Sequence, residues 1–166
     1  MQQVDSIDID VLVPYLEQHV LGFKGPATAE KFPGGQSNPT FKISAASGQY
    51  VLRRQPPGKL LKSAHAVDRE YRVLNALNDS AVPVAKVFHL CEDTEVLGSM
   101  FYLMEYLPGR VFWDSALPEI ADSAARARIH FQVVEVLATL HSVNPADVGL
   151  EDYGRPGNYY QRQIDR

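Results

Sequence analysis

The sequence contains one cysteine, Cys91, so the 166-residue chain cannot form an internal disulfide or a multi-cysteine zinc site. It also lacks any run of the roughly 20 apolar residues that a membrane-spanning helix needs. Its first ten residues, MQQVDSIDID, are acidic and polar, whereas a secretory signal places a basic segment before an apolar one. These absences favour a cytoplasmic protein.

An excess of positive charge is also absent. Sixteen Lys and Arg against twenty Asp and Glu give a net charge of -4, which argues against a general nucleic-acid binder. The hydrophobic fraction of 45% is that of an ordinary globular chain. Basic residues nevertheless cluster at Arg53, Arg54, Lys59 and Lys62, and such a cluster can bind an anion.

The pattern of apolar residues predicts a mixture of helices and strands. Helical spacing indicates a leading helix within Ile7–Val20, a helix from about Ser63 to Leu77, and a third from Ser123 to His141. Strand-like runs cover Ala27–Phe32, Thr40–Ser44, Gln49–Arg54, Ala85–Cys91 and Ser99–Tyr106. Because consecutive strands have short connections, we expect an antiparallel sheet and an α+β fold.

The loop between the first two strands, within GGQSNPTF (Gly34–Phe41), is rich in small and polar residues. A tight hairpin needs only one Asn-Gly or Gly-Gly pair, so these residues have a further reason to be there. Glycines allow close approach of a phosphate to backbone amides. The loop alone fits a mobile turn and an anion-binding lid equally well.

Several segments together resemble a known family. They are GGQSNPTF, YVLRRQPPG, DREYRVLNAL, FYLMEYLPG and LHSVNPADVGLEDYGRPGNYYQRQ. They are similar to the aminoglycoside phosphotransferase and choline kinase-like enzymes, which have a protein-kinase-like fold, and most similar to the branch associated with acyl-CoA dehydrogenases. The resemblance implies a nucleotide-binding N-lobe over residues 1–106, with a five-stranded antiparallel sheet, one packed helix and a leading helix. Residues 107–166 would form the hinge and the first helices of an incomplete helical C-lobe.

The resemblance also implies a function and a set of ligand-binding residues. The chain would be the ATP-binding portion of a phosphotransferase that moves the γ-phosphate of ATP to a hydroxyl of a small molecule. The phosphate-binding loop residues would be Gly35, Gln36, Ser37 and Asn38. The following Pro39 departs from the glycine-rich loop of protein kinases and should stiffen this loop.

A fixed cation and its carboxylate partner are expected next to that loop. Strand alternation places Val51 and Arg53 on one face, and the resemblance sets Val51 against the adenine and Arg53 near the phosphates. Arginine stands where the family usually has lysine. Glu70 on the following helix would hold this cation. The alternatives are a solvated edge-strand arginine and a helix-surface glutamate paired with a neighbouring arginine, Arg69 or Arg72.

The segment FYLMEYLPG would form the hinge that contacts the base. By resemblance, the backbone carbonyl of Glu105 and the backbone amide of Leu107 bind the purine edge, and Met104 lines the pocket behind it. Without the resemblance, Met104 is a core methionine and Leu107-Pro108-Gly109 is a turn.

The family's catalytic and metal-binding motifs are missing from the sequence. No histidine is followed by Gly-Asp or Arg-Asp, and Asp152-Tyr153-Gly154 has no catalytic loop before it. We therefore expect no catalytic residue here, Mg²⁺ ligands beyond Arg166, and no activity from this segment alone. The alternative function is an inactive nucleotide-binding pseudokinase module or a regulatory interaction domain. A homodimer through the apolar face of the Ser123–His141 helix is a further expectation, with neither nucleic acid nor membrane as partner.

Overall fold

The computed structural model describes residues 6–33, 38–56, 58, 65–154 and 157–165. The chain divides into two compact units, residues 1–78 with 84–110 and residues 79–83 with 111–166. The first unit contains the sheet, and the second is mainly helical. Each is considered by itself below.

The first unit is a five-stranded antiparallel sheet with helices on both faces. Its elements are α1 (Ile9–His19), β1 (Ala27–Lys31), β2 (Thr40–Ala45), β3 (Gly48–Arg54), α2 (Val67–Leu77), β4 (Val87–Cys91), α3 (Thr94–Leu97) and β5 (Phe101–Glu105). The strands lie in the order β1-β2-β3-β5-β4. The predicted five-stranded antiparallel sheet is confirmed, with strand ends that differ by one or two residues.

The helices of this unit differ more from the prediction than the strands do. Helix α1 lies within the predicted range Ile7–Val20, but α2 begins at Val67 rather than near Ser63, which lies outside the described residues. The short α3, capped by the Asp93 side chain, was not predicted, because four residues carry no helical period.

One face of the sheet is covered by α1. The side chain of Asp8 accepts hydrogen bonds from the Asp10 and Val11 amides and so begins the helix. Leu12 and Leu16 are fully buried against the sheet. They pack in one core cluster with Phe41, Ile43, Leu52, Phe101, Leu103, Cys91, Val20 and Phe23. The free thiol of Cys91 is therefore a buried structural group.

Helix α1 also makes a polar and aromatic contact with β4. The hydroxyl of Tyr15 lies 2.9 Å from Nε2 of His89. The ring of His19 stacks on Tyr15 at a centroid distance of 4.1 Å and lies 5.2 Å from the ring of His89. Burial, and then the neighbouring His19, lower the pKa of His89. The imidazole of His89 is therefore favoured in its neutral form.

Helix α2 lies on the opposite face of the sheet. Val67, Val87 and Tyr102 form the buried centre of this second cluster, and Tyr71 and Met104 are among the partly buried residues around it. Between the helix and the strands, the register sets Arg53 directly opposite Thr40 on β2 and opposite Tyr102 on β5. Three polar side chains from adjacent strands thus form a row beneath the start of α2.

The second unit contains α4 (Ser123–His141), a 3₁₀ turn (Pro145–Val148) and α5 (Tyr159–Ile164). The bounds of α4 match the prediction, and Asp122 caps its first turn. No residue of α4 is buried, so its apolar side chains remain partly or fully exposed. Among the described residues, none of the helices has both the length and the apolar character that a bilayer crossing requires.

Candidate functional site

The centre of the site is an ion pair between β3 and the first turn of α2. Nε of Arg53 donates to Oε2 of Glu70 at 2.6 Å, and Nη2 lies 3.4 Å from Oε1. About a third of each side chain remains exposed, at 30% for Arg53 and 36% for Glu70. Glu70 lies in the first turn of α2, where acidic side chains are common because of the helix dipole.

This geometry shows where Arg53 and Glu70 lie, while their role in binding a nucleotide stays a prediction. β3 is the middle strand of the sheet, so Arg53 is not on an edge strand. Glu70 reaches across to that strand and bonds Arg53. The neighbouring Arg54 is 5% exposed and lies over the ring of Phe41 on the opposite face, as strand alternation predicted.

Two residues of the adjacent strands complete the contacts of the pair. Nη1 of Arg53 donates to Oγ1 of Thr40 at 3.0 Å. The hydroxyl of Tyr102 donates to Oε2 of Glu70 at 3.2 Å. Burial, followed by the Glu70 carboxylate, raises the pKa of Tyr102, although Arg53 opposes that shift. Tyr102 therefore remains protonated and acts as a donor at neutral pH.

Asn38 is the described member of the predicted phosphate-binding loop. It is 3% exposed, and its Nδ2 donates to Oε1 of Glu70 at 2.9 Å. Nδ1 of His65 lies 3.1 Å from Oδ1 of Asn38. The structure thus joins Asn38 to the carboxylate. The other predicted loop residues, Gly35, Gln36 and Ser37, lie outside the described residues.

A cavity of about 210 Å³ lies along β1 and β2, and Lys42 and Tyr106 are among its lining residues. The complete lining is Glu30, Lys31, Phe32, Pro33, Lys42 and Tyr106. Nζ of Lys42 lies 4.6 Å from the centre of the Tyr106 ring. Because Lys42 follows Thr40 by two residues on β2, both side chains belong to the Arg53 face of the sheet.

The predicted hinge residues fall on β5 and just after it, whereas Val51, predicted to lie against the adenine, is on β3. Val51 is paired with both Lys42 and Met104, and Met104 packs against the second core cluster. The backbone amide of Glu105 donates to the carbonyl of Lys86 at 2.8 Å, which anchors the end of β5. The side chain of Leu107 is 58% exposed.

Sequence reasoning missed Thr40, Lys42, His65, Tyr102 and Tyr106. The first four carry no motif of their own, since their position near Arg53 or the cavity depends on strand register and on the path into α2. Tyr106 had a signal, because it lies between the two residues predicted to contact the base.

Clusters of metal-ligating side chains are absent from the part of the chain that the structure describes. Within those ranges there is no group of three or more His, Cys, Asp or Glu side chains that could hold a metal ion.

Comparisons with known proteins identify similar sequences. A model of the "Phosphotransferase enzyme family" matches residues 28–166. "Probable acyl-CoA dehydrogenase IBR3" of Arabidopsis thaliana is 48% identical over 174 residues, covering 100% of this chain and 21% of the relative. "Acyl-CoA dehydrogenase family member 11" of Homo sapiens is 42% identical, covering 96% of this chain and 21% of the relative. The chain therefore spans about a fifth of the length of these curated relatives.

A solved structure is similar in both sequence and fold. It is the crystal structure of "a putative aminoglycoside phosphotransferase" from Ralstonia eutropha JMP134. The two chains are 46% identical with a TM-score of 0.81, and the match covers 97% of this chain and 46% of the other. This similarity agrees with the α+β fold expected from the sequence.

Proposed function

This chain belongs to the phosphotransferase enzyme family, and from that membership we propose that it is the ATP-binding portion of a small-molecule kinase. The longer protein would transfer the γ-phosphate of ATP to a substrate hydroxyl. The observation that carries the proposal is the Arg53–Glu70 ion pair, which fixes a cation on the sheet face and is bonded by Asn38, the residue that follows Gly34–Ser37 in the sequence. A fixed cation beside a glycine-containing loop suits a triphosphate.

The two ends of the site suit the two ends of a nucleotide. The cavity next to Lys42 and Tyr106 offers aromatic and cationic groups to the base, with Val51 and Met104 on the same face. Arg53 lies opposite Thr40, two residues or about 7 Å along β2 from Lys42. The base would therefore occupy the cavity, with Glu105 and Leu107 supplying backbone contacts and the phosphates directed towards Arg53 and the loop.

Arg53 has a defined electrostatic role in this proposal. Its guanidinium bonds Glu70 through one edge and keeps about a third of its surface exposed to an incoming anion. Glu70 limits the directions in which the cation can point, so the phosphates meet a charge already in position. The Mg²⁺ that such a transfer uses would be held by residues of the longer protein.

The proposal is tested by nucleotide binding to Arg53→Ala. We expect the dissociation constant for ATP to rise about tenfold or more, because a charge-assisted contact to phosphate is lost. Binding of adenosine, which has no phosphate, should be nearly unchanged. Isothermal titration calorimetry with both ligands measures the difference. Arg128→Ala removes an exposed arginine of α4 and is the matched control.

Equal affinity of the wild-type chain and Arg53→Ala for ATP would contradict the assignment of the cation. A second experiment distinguishes an active kinase from an inactive nucleotide-binding module. If the full-length protein binds ATP but transfers no phosphate to any acceptor, the inactive pseudokinase or regulatory module becomes the better description.

We propose that the acceptor substrate is bound by parts of the longer protein outside this chain. The names of the relatives favour one class of acceptor. Since those relatives are named acyl-CoA dehydrogenases, a hydroxyacyl thioester is the acceptor that we propose first. Incubation of the full-length protein with Mg-ATP and a hydroxyacyl-CoA should give a phosphorylated thioester, detected by mass spectrometry. Faster transfer to an aminoglycoside or to choline under the same conditions would reject this choice.

A further inference from the structure

We infer that Asn38 and His65 are positioning residues that hold Glu70, and through it Arg53, in the geometry that receives phosphate. This inference rests on the proposed function for its nucleotide-binding consequence. Its structural part concerns only the described residues of the first unit. Neither side chain needs to contact the nucleotide for the effect.

The hydrogen-bond chemistry fixes which way each group points. An ionised carboxylate only accepts hydrogen bonds, so the atom of Asn38 that faces Oε1 of Glu70 is the amide nitrogen, at 2.9 Å. The amide oxygen of Asn38 then faces His65, whose Nδ1 must carry a proton to donate across 3.1 Å. With 3% of its surface exposed, Asn38 depends on these protein partners rather than on solvent.

Asn38 forms hydrogen bonds with two residues that contact Arg53, namely Glu70 and Thr40. Its side chain bonds Glu70, and its backbone carbonyl accepts a hydrogen bond from Oγ1 of Thr40 at 3.1 Å. The same Thr40 hydroxyl accepts from Nη1 of Arg53. A closed ring of hydrogen bonds therefore joins Asn38, Glu70, Arg53 and Thr40. We call it the polar ring.

Removal of the Asn38 amide would leave Oε1 of Glu70 weakly held. Among the described residues, its other contact is the 3.4 Å approach of Nη2 of Arg53, whereas Oε2 keeps shorter contacts with Nε of Arg53 and with Tyr102. The Glu70 carboxylate would then turn more freely about its Cγ–Cδ bond. Because Arg53 bonds both carboxylate oxygens, its guanidinium would then be held less firmly, through Nε on Oε2 and Nη1 on Thr40.

His65 is placed to lock this amide as the chain enters α2. It has a positive φ of 58°, and its carbonyl accepts a hydrogen bond from the amide of Val67, the first residue of α2. Its backbone is thus tied to the helix that carries Glu70, while its ring donates to Asn38. His65 therefore links Asn38 to the start of α2.

The test compares ATP and adenosine binding in four variants of the 166-residue chain. Asn38→Ala removes the amide, and His65→Leu removes the donor. In His65→Asn, the amide nitrogen replaces Nδ1 at the same number of bonds from the backbone, and asparagine tolerates positive φ. Ser99→Ala is the control, since it removes a different buried side-chain hydrogen bond, to the carbonyl of Gln55.

We expect Asn38→Ala and His65→Leu to weaken ATP binding about tenfold while adenosine binding stays constant. His65→Asn and Ser99→Ala should bind ATP as the wild type does. The Nε–H resonance of Arg53 in a ¹⁵N-correlated NMR spectrum gives a readout that needs no nucleotide. It should shift in Asn38→Ala and His65→Leu and stay in place in His65→Asn.

Wild-type affinity for ATP and an unshifted Arg53 resonance in His65→Leu would overturn the positioning role. Equal losses of ATP and adenosine binding would also overturn it, because they indicate general damage to the fold. Failure of the wild-type chain to bind ATP would instead reject the proposed function. The NMR comparison would still decide whether Asn38 and His65 hold the pair.

Discussion

At the scale of single residues, the site explains an arginine where its family usually has lysine. The guanidinium of Arg53 uses Nε and Nη2 for Glu70 and Nη1 for Thr40, three nitrogen atoms in one plane. A lysine has one nitrogen at the end of a flexible chain and would not span both partners in this way. The polar ring is therefore built for a planar cation.

A second residue-scale property is the pH dependence contributed by His89. Burial and the nearby His19 lower the pKa of His89 in the folded protein below 6.5. Between that lowered pKa and 6.5, the unfolded chain binds a proton that the folded chain does not. The free energy of unfolding contributed by His89 is therefore complete above pH 6.5 and falls as the pH decreases below it.

We expect urea unfolding to show this loss when the wild type is compared at pH 7.5 and pH 5.5. In His89→Gln the group that titrates is removed, so its loss over the same interval should be smaller. Two residues of α1 face His89, namely Tyr15, whose hydroxyl contacts its ring nitrogen, and His19. Identical losses in the two proteins would show that His89 does not contribute.

At the scale of elements, the attachment of α1 to the sheet gives a matched pair of substitutions. Leu16 is fully buried between α1 and the sheet, whereas Leu21, just after the helix, is fully exposed. We expect Leu16→Ala to lower the free energy of unfolding by about 2–5 kcal/mol, because it leaves a cavity in the core. Leu21→Ala should change it by less than about 0.5 kcal/mol.

Circular dichroism during urea unfolding measures both values. Trp113, the single tryptophan, is 83% exposed and belongs to the second unit, so its fluorescence is a poor probe of this core. Similar effects of the two substitutions would mean that α1 is not docked on the sheet in solution.

The elements also show how far sequence reasoning could reach. Strand alternation assigned Arg53 and Val51 to one face, and helical spacing put Glu70 near the inward stripe of its helix, because both patterns are local. The pairing of Arg53 with Glu70 was expected from the family resemblance. The position of β5 between β3 and β4 is set by non-local pairing, so the neighbour Tyr102 could not be predicted. Thr40 depends on the exact register of β2 against β3, which the sequence pattern did not fix. Asn38 was predicted to bind phosphate, and that role stays a prediction, while the structure adds its bond to Glu70.

At the scale of the whole molecule, the exposed apolar side chains of α4 set the behaviour of this 166-residue chain. Val133 is 61% exposed and Leu137, one turn later, is 48% exposed. Phe131, Val134, Val136 and Leu140 are also exposed. Contiguous apolar surface of this kind promotes association. We expect light scattering to show a molar mass that rises with protein concentration.

Replacement of Val133 and Leu137 by lysine should keep the chain monomeric at concentrations where the wild type associates. Glu135→Lys places a new positive charge on another side of the same helix and is the control for charge alone. A concentration-independent monomer for the wild-type chain would contradict the expected homodimer through α4.

The polar ring has a consequence for the alignment of the strands themselves. Arg53 meets Thr40 and Tyr102 only when β2, β3 and β5 are paired as observed, and a slip by one residue would turn these side chains to the other face. The polar ring can form only in the correctly aligned sheet. In a misaligned sheet, Arg53 and Glu70 would lose their ion pair. The residues proposed to bind ATP would then also favour the correct strand alignment. Substitutions in the polar ring should lower the yield of correctly folded protein as well as the affinity for ATP.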